Sequence, residues 1–276
     1  MASEVFRTLY RDEKEKRSAA FKSYIEGLVG GQLPQALHVV DVGWKGSIQD
    51  NLHRWLAATR GETASVDGYY IGLIAAGAAS ASNRKAGLLF SSLGGMTPGF
   101  RIFDENRSLF EVLLPAPHGS ALSYACDGNG IVQVLQGDFA ERQVIEAHIL
   151  PVARAICQSF NRIASLFASA PLAAGPLFRL VQRRHRRMVY HPTAAEIAWM
   201  ESITHVENFG VFGESRFGDD AAAPSLADRA RFTWKVIRRR SFADLGFWPY
   251  LTLLQKALPG ATLAYRLVRA VQEPGR

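Results

Sequence analysis

Apolar residues recur at helical intervals from the start of the chain. Phe6, Leu9, Phe21, Tyr24, Ile25 and Leu28 fall on one side of a charged helix over residues 4 to 29, which Gly30, Gly31 and Pro34 end. The period then changes. Residues 38 to 42 form a short apolar run, residues 47 to 58 return to helical spacing through Ile48, Leu52, Trp55 and Leu56, and Val66 to Ile74 form a second apolar run. Strand, helix and strand in that order predict a βαβ unit with parallel strands. Gly68 and Gly72 interrupt the second strand, as happens where another backbone or a ligand comes close. From Ala75 to Phe100 the chain is rich in Gly, Ala and Ser, which predicts a long loop around a short strand at Gly87 to Phe90. A helix over Asn106 to Leu114 follows. Two apolar runs around Asp127-Gly128-Asn129-Gly130 then predict a β-hairpin.

Beyond the hairpin the pattern is helical. Ile145, Ile149, Val152, Ile156, Phe160, Ile163 and Phe167 step by three and four, so residues 141–168 read as one long helix with Pro151 as a kink or boundary. Further helices are predicted at 193–204, 225–240, 247–257 and 261–272. The expected fold is α/β: a small parallel, Rossmann-like sheet with a hairpin in the N-terminal half and a mainly helical C-terminal half. The expected division is an α/β domain at 1–140 and a helical region at 141–276 packed on it.

The segment VVDVGWKGSIQDNL, Val39 to Leu52, concentrates the candidate chemistry. A strand breaks at a glycine pair and reopens as a helix, and the free N–H groups and dipole of a helix start favour an anion such as phosphate. Asp41 ends the strand, where open α/β sheets place ligands; it is read either as a base or sugar-hydroxyl acceptor, or as an acceptor for the N–H groups of its own turn. Gly43 and Gly46 flank Trp44 and Lys45, and the Lys45 ammonium is placed to meet a phosphate at the helix start. Ser47 is expected to cap that helix. Gln49 joins the substrate-binding set, and Asp50 complements the dipole.

Charge changes the picture in one respect. The net charge of +7 comes largely from RLVQRRHRR (Arg179 to Arg187) and RARFTWKVIRRR (Arg229 to Arg240). Such runs suit a phosphorylated or nucleotide-linked ligand or an anionic membrane surface, or they are simply solvated helix faces. Nucleic acid is not expected, because no zinc spacing, RNP motif or helix-turn-helix accompanies them. With 276 residues, 48% hydrophobic and 21% charged, the chain has the composition of a globular protein. Cys126 and Cys157 make no disulfide framework, the first residues lack the apolar core of a signal peptide, and no apolar run reaches the ~18 residues of a membrane span. The expected location is cytoplasmic, with peripheral contact to the inner membrane as an added expectation.

Outside the turn, Glu111 lies on the helix before Pro115, and His118, in Pro-His-Gly-Ser with Ser120 two residues on, can titrate near neutrality as acid or base. His205 and Glu207 alone make a weak metal pair, and no metal or cofactor is expected. His185, within the arginine run, is expected at the surface. Trp199, Phe209, Phe212, Trp234, Phe247 and Trp248 are expected mostly in the core, with one or two free to line a sugar groove. The chain lacks a phosphate loop, a GxSxG elbow, an HExxH helix, a DxDx[TV] nucleophile and a GxGxxG turn.

Four segments taken in order carry a resemblance: DVGWKGSIQDNL with GYYIGL, FEVLLPAPHGSALSY, and HPTAAEIAWMESITHVENFG. Over residues 10 to 256 the chain resembles the C-terminal region of predicted haloacid-dehalogenase-like hydrolases from bacterial loci for O-antigen, capsule and rhamnose-rich glycans. The hydrolase motif of that family lies in an N-terminal domain and is missing here, so the resemblance carries no hydrolase activity over. It implies a role in surface polysaccharide synthesis, as a glycosyltransferase or a nucleotide-sugar-binding domain, with a nucleotide-sugar or lipid-linked glycan as ligand. The matched positions are Asp41, Gly43, Trp44, Gly46 and Gln49, Gly68, Tyr69 and Gly72, Glu111, His118 to Ser120, and Glu207, Phe209 and Gly210. A non-catalytic adaptor docking on a glycosyltransferase, or a degenerate fragment of a two-domain protein, is the alternative.

Overall fold

A computed structural model describes residues 4–127, 132–139, 142–170, 173–203, 224–239, 245 and 248–272. Helix α1 (Glu4–Val29) leads into β1 (Ala36–Asp41), α2 (Ser47–Arg60), β2 (Ser65–Leu73) and β3 (Asn83–Ser91). The three strands form a parallel sheet in chain order with β2 in the middle. The βαβ unit is as the hydrophobic pattern predicts. β3, however, runs for nine residues where a short strand in a loop was expected. Its inward positions include polar Asn83 and Lys85, which hide the apolar alternation until their partners are seen.

One sheet face is covered and the other is open. Leu33, Leu56, Ala64 and Val66 are buried together, with Ile25 of α1, Leu37 and Val39 of β1, and Leu52 and Trp55 of α2 packed against them. On the opposite face His38, Asp67 and Arg84 lie in one row across the strands and Val40, Tyr69 and Ala86 in the next. Val40 is 82% exposed, and Tyr69 and Leu88 are exposed beside it. Parallel sheets normally bury both faces; among the described residues this one buries one.

Helices α3 (Phe100–Asp104) and α4 (Ser108–Leu113) follow, then the hairpin β4 (Ala121–Cys126) and β5 (Val132–Gln136), antiparallel as expected. The hairpin rests on α1, where Tyr124 meets the rings of Phe21 and Tyr24. Phe6, Leu9 and Leu28, expected on the buried side of α1, are exposed.

Residues 142 to 169 are helical throughout, as α5 (Arg142–Val144), a π-helical turn (Ile145–Ile149) and α6 (Leu150–Ser169). Pro151 stands in the first turn of α6, just after the π-turn, where its missing N–H is least costly. The expected apolar seam divides there. Ile145 and Ile149 are buried, whereas Ile156, Phe160 and Ile163 are exposed.

The remaining helices are α7 (Ala174–Tyr190), α8 (Ala194–Ile203), α9 (Leu226–Arg239), α10 (Pro249–Lys256) and α11 (Ala261–Gln272). Ile102, Leu109, Ile145, Val189, Trp248 and Tyr265 belong to their shared core. A second cluster joins the halves: Phe90 of β3 and Phe100 and Phe103 of α3 pack with Trp44, Phe110, and Phe178 and Val181 of α7. Trp248 is buried as expected and Trp199 half-buried, but Trp234 is 67% exposed, because its side of α9 points away from that core.

Candidate functional site

The turn after β1 is held by backbone contacts to the strand beside it. Gly72 N–H donates to the Val42 carbonyl at 3.3 Å and Ile74 N–H to the Trp44 carbonyl at 2.9 Å. The Gly43–Trp44 peptide bond is cis. A Cβ on Gly43 would stand 2.6 Å from the Gly72 carbonyl oxygen, so only glycine allows this approach. Gly46, with φ of 65°, is the N-cap of α2 and no side-chain cap bond forms there. This corrects the capping role expected of Ser47, which is the first helical residue and is exposed. The left-handed turn at Gly46 brings the chain into the helix without a side-chain acceptor. Asp50 N–H is bonded to the Gly46 carbonyl at 3.0 Å, which leaves the N–H groups of residues 47 to 49 ahead of the first helical bond.

Beneath the turn lies a closed polar network that the sequence pattern did not indicate. Gln49 is buried; its amide nitrogen donates to the Val66 carbonyl, the Asn83 side chain and the Arg84 carbonyl, and its oxygen accepts from Tyr70 Oη at 2.6 Å. Both of its polar atoms are bonded inside the protein, beneath the turn. Lys85 Nζ, with a side chain 0% exposed, reaches Asp50 at 2.7 Å and the carbonyls of Lys45 and Ala76. Burial alone would raise the Asp50 pKa; hydrogen bonds from Lys85, Ala78 N–H and Asn83 reverse this and hold it below the ordinary value. Asp50 therefore ties the loop at 76–78 to α2, more than it complements the dipole. The close approaches expected at Gly68 and Gly72 come from within. A Cβ on Gly68 would meet Gln49 and one on Gly72 would meet the ring of Phe90.

Above the turn the arrangement is different. The Trp44 indole N–H donates to Glu111 Oε1 of α4 at 2.5 Å, a contact across 67 residues. Burial raises the Glu111 pKa; the Trp44 hydrogen bond and the Arg107 charge oppose this, and the Asp41 charge adds to it. Asp41 also acts on Tyr70, whose hydroxyl is pushed up to about 12 by burial first and then by Asp41 and Asp50. The structure thus joins Trp44 and Glu111 across the carboxyl end of β1, and the charge of Asp41 reaches Glu111 only weakly. Asp41 is half-buried, and its Oδ1 accepts from Val42 N–H at 2.7 Å. One oxygen serves the turn, as the second of its two readings has it. Lys45 is exposed in the same turn.

His118 is held locally, with its Nδ1 bonded to the Gly119 carbonyl at 2.9 Å at the foot of the hairpin; Ser120 N-terminal to β4 pairs through its carbonyl with Gly137 N–H. His205, Glu207, Phe209, Gly210, Phe212 and Phe247 lie outside the described residues. His185 corrects an expectation. It is stacked on Phe103 and Phe110 at 4.9 and 5.3 Å between ring centroids, not displayed at the surface. The reason is periodic: Phe178, Val181 and His185 share the face of α7 that meets α3 and α4.

The sheet order offers no reversal. Strands run β1-β2-β3, so the parting of adjacent connections that opens a ligand crevice in doubly wound sheets is absent among the described strands. What the end of β1 offers is a carboxylate bonded to an indole, a second carboxylate on the strand end, an exposed lysine and a helix start. A separate cavity of about 630 Å³ lies between α3 and helices α9 to α11, lined by Met96, Phe100, Thr233, Ile237, Val268 and Arg269 among others, and it includes none of these turn residues. Among the described residues no group of three or more His, Cys, Asp or Glu is placed to hold a metal ion. No protein-family model and no curated protein sequence matches the chain.

Proposed function

We propose that the chain acts in bacterial surface-polysaccharide synthesis and binds a nucleotide-sugar or a polyprenyl-diphosphate sugar at the β1–α2 turn. The observation that carries the reading is the hydrogen bond by which Glu111 of α4 holds Trp44 of the β1–α2 turn, the turn that also carries Asp41, Lys45 and the start of α2. A diphosphate at the helix start is favoured by the dipole, and Lys45 offsets its charge. In glycosyl transfer the acceptor hydroxyl oxygen forms the new bond to the anomeric carbon while the bond to the diphosphate oxygen breaks. Asp41 takes the hydroxyl proton. Glu111, with its pKa raised, holds Trp44 in place through the indole hydrogen bond, and the Trp44 ring offers a face to the sugar. His118 is anchored on the Gly119 carbonyl through Nδ1. The arginine-rich helices set this site against an anionic membrane surface, where lipid-linked acceptors reside.

Calorimetric titration with a panel of nucleotide-sugars tests the reading, together with Asp41→Asn and Lys45→Ala in a glycan-production assay. Binding of at least one donor is expected, weakened roughly tenfold by Lys45→Ala, with glycan output lost in Asp41→Asn. No binding to any donor and full output from both variants sinks it.

The adaptor reading has its own observation in the open sheet face at Val40, Tyr69 and Leu88. A glycosyltransferase partner covering that face would complete the second layer. Pull-down separates the two readings, since an adaptor keeps its partner in Asp41→Asn and loses it in Tyr69→Asp.

A further inference from the structure

The middle of the apolar stripe of α6 is exposed among the described residues, and its two ends, Val152 and Phe167, are half-buried. Val152, Ile156, Phe160, Ile163 and Phe167 recur at three and four and so share one side of the helix. Phe160 is 66% exposed, and Ile156 and Ile163 are exposed with it. Arg154, Gln158, Asn161 and Ser165 occupy the opposite side. A stripe of this kind on a globular helix ordinarily faces a core. Here α6 leaves the core at the π-turn, where Ile145 and Ile149 are the last buried members of the seam.

Charge decides what covers it. Residues 150 to 190, which comprise α6, α7 and the link between them, contain seven arginines and neither aspartate nor glutamate. That equals the net charge of the whole chain. Arg187 is paired with Glu196, but Arg154, Arg162, Arg179, Arg183 and Arg184 have no carboxylate within ion-pair distance among the described residues. A second copy of so cationic a surface would meet like charge, whereas an anionic bilayer offers acyl chains to the stripe and phosphates to the arginines. No helix of the described chain is long and apolar enough to cross a membrane, so the geometry suits a helix lying in the plane of the interface.

We infer that α6 is a membrane-surface helix that lies in the headgroup region of an anionic bilayer, with Ile156, Phe160 and Ile163 toward the acyl chains and the arginines of α6 and α7 on lipid phosphates. The inference rests on the membrane-surface placement in the proposed function, and it is independent of the sugar chemistry. One apolar side and one arginine-bearing side act together, because a few apolar side chains or a few charges alone hold a protein at a bilayer only weakly.

Vesicle co-sedimentation of the full chain tests it, with phosphatidylglycerol-containing vesicles against phosphatidylcholine alone. Wild type is expected to partition to the anionic vesicles only. Ile156→Ser with Phe160→Ser, and separately Arg154→Gln with Arg162→Gln, should each lower partitioning about tenfold; these positions are exposed, and unchanged circular dichroism checks folding. An environment-sensitive dye on Phe160→Cys, in a background of Cys126→Ser and Cys157→Ser, should shift to the blue on anionic vesicles, and the same dye on Gln158→Cys should not. If wild type binds and the α6 variants bind equally, the membrane placement stands and the role of α6 is overturned. If wild type binds no anionic vesicle, both fall, while nucleotide-sugar titration still judges the turn on its own. A dye shift that grows with protein concentration without lipid assigns the stripe to self-association and overturns the inference.

Discussion

His185 sits between the rings of Phe103 and Phe110 with its Nε2 buried and without a hydrogen-bond partner among the described residues. Burial pushes its pKa down to about 4, against a weaker opposing effect of a hydrogen bond to the Ile102 backbone. The folded state therefore keeps it neutral over a range in which the unfolded chain, titrating near 6.5, takes up a proton. Stability contributed by neutral His185 is present above that unfolded value and is lost as pH falls toward about 4. A loss of about 2 kcal/mol is expected between about pH 8 and about pH 5. Urea melts at the two pH values check this, and His185→Phe should remove most of the difference. The three- and four-residue steps linking Phe178, Val181 and His185 were a visible signal; the surrounding arginines obscured it.

At the scale of elements, α8 shows a case in which local sequence sufficed. Thr193 Oγ1 accepts from Glu196 N–H at 3.2 Å, and the Glu196 carboxylate accepts from Thr193 N–H at 2.8 Å, a reciprocal cap legible in Thr-Ala-Ala-Glu. Thr193→Ala should cost about 1 kcal/mol in denaturant unfolding. Glu196 is held at about 2, first by its hydrogen bond from Arg187 and then by Thr193, against the effect of burial. Its folded pKa is depressed, so its contribution is present above the ordinary 4.5 and is lost as pH falls toward about 2. Glu196→Gln should be less stable than wild type at neutral pH, and the gap should close in acid melts across that window. α6 is the opposite case. Its spacing fixed which residues share a side but not whether that side meets protein, because the period of a helix is the same in a core and at an interface.

Across the whole molecule, distant segments are pinned by buried charge. Glu105, following α3, and Arg269 of α11 form an ion pair in which both side chains are almost fully buried, and Tyr265 Oη donates to Glu105 at 3.3 Å. Removing one partner leaves the other charge in a poorly solvated place. Glu105→Ala is therefore expected to destabilise the fold by about 3–5 kcal/mol, and chemical unfolding followed by circular dichroism measures it. A shift below about 1 kcal/mol would mean that water reaches Arg269 from the neighbouring cavity.

By itself the sequence determined the βαβ start, the hairpin, the helices from residue 193 on and the strand-turn-helix at Asp41 to Ser47, because these follow from the period of apolar positions and from the backbone freedom of glycine; it did not yield α3 or α7 as elements. Tertiary structure alone decided that Gln49, Asn83 and Lys85 are interior, that Glu111 meets Trp44, and that the middle of α6 and one sheet face are exposed among the described residues. Burial of a polar group depends on partners far along the chain. No local period records whether those partners arrive.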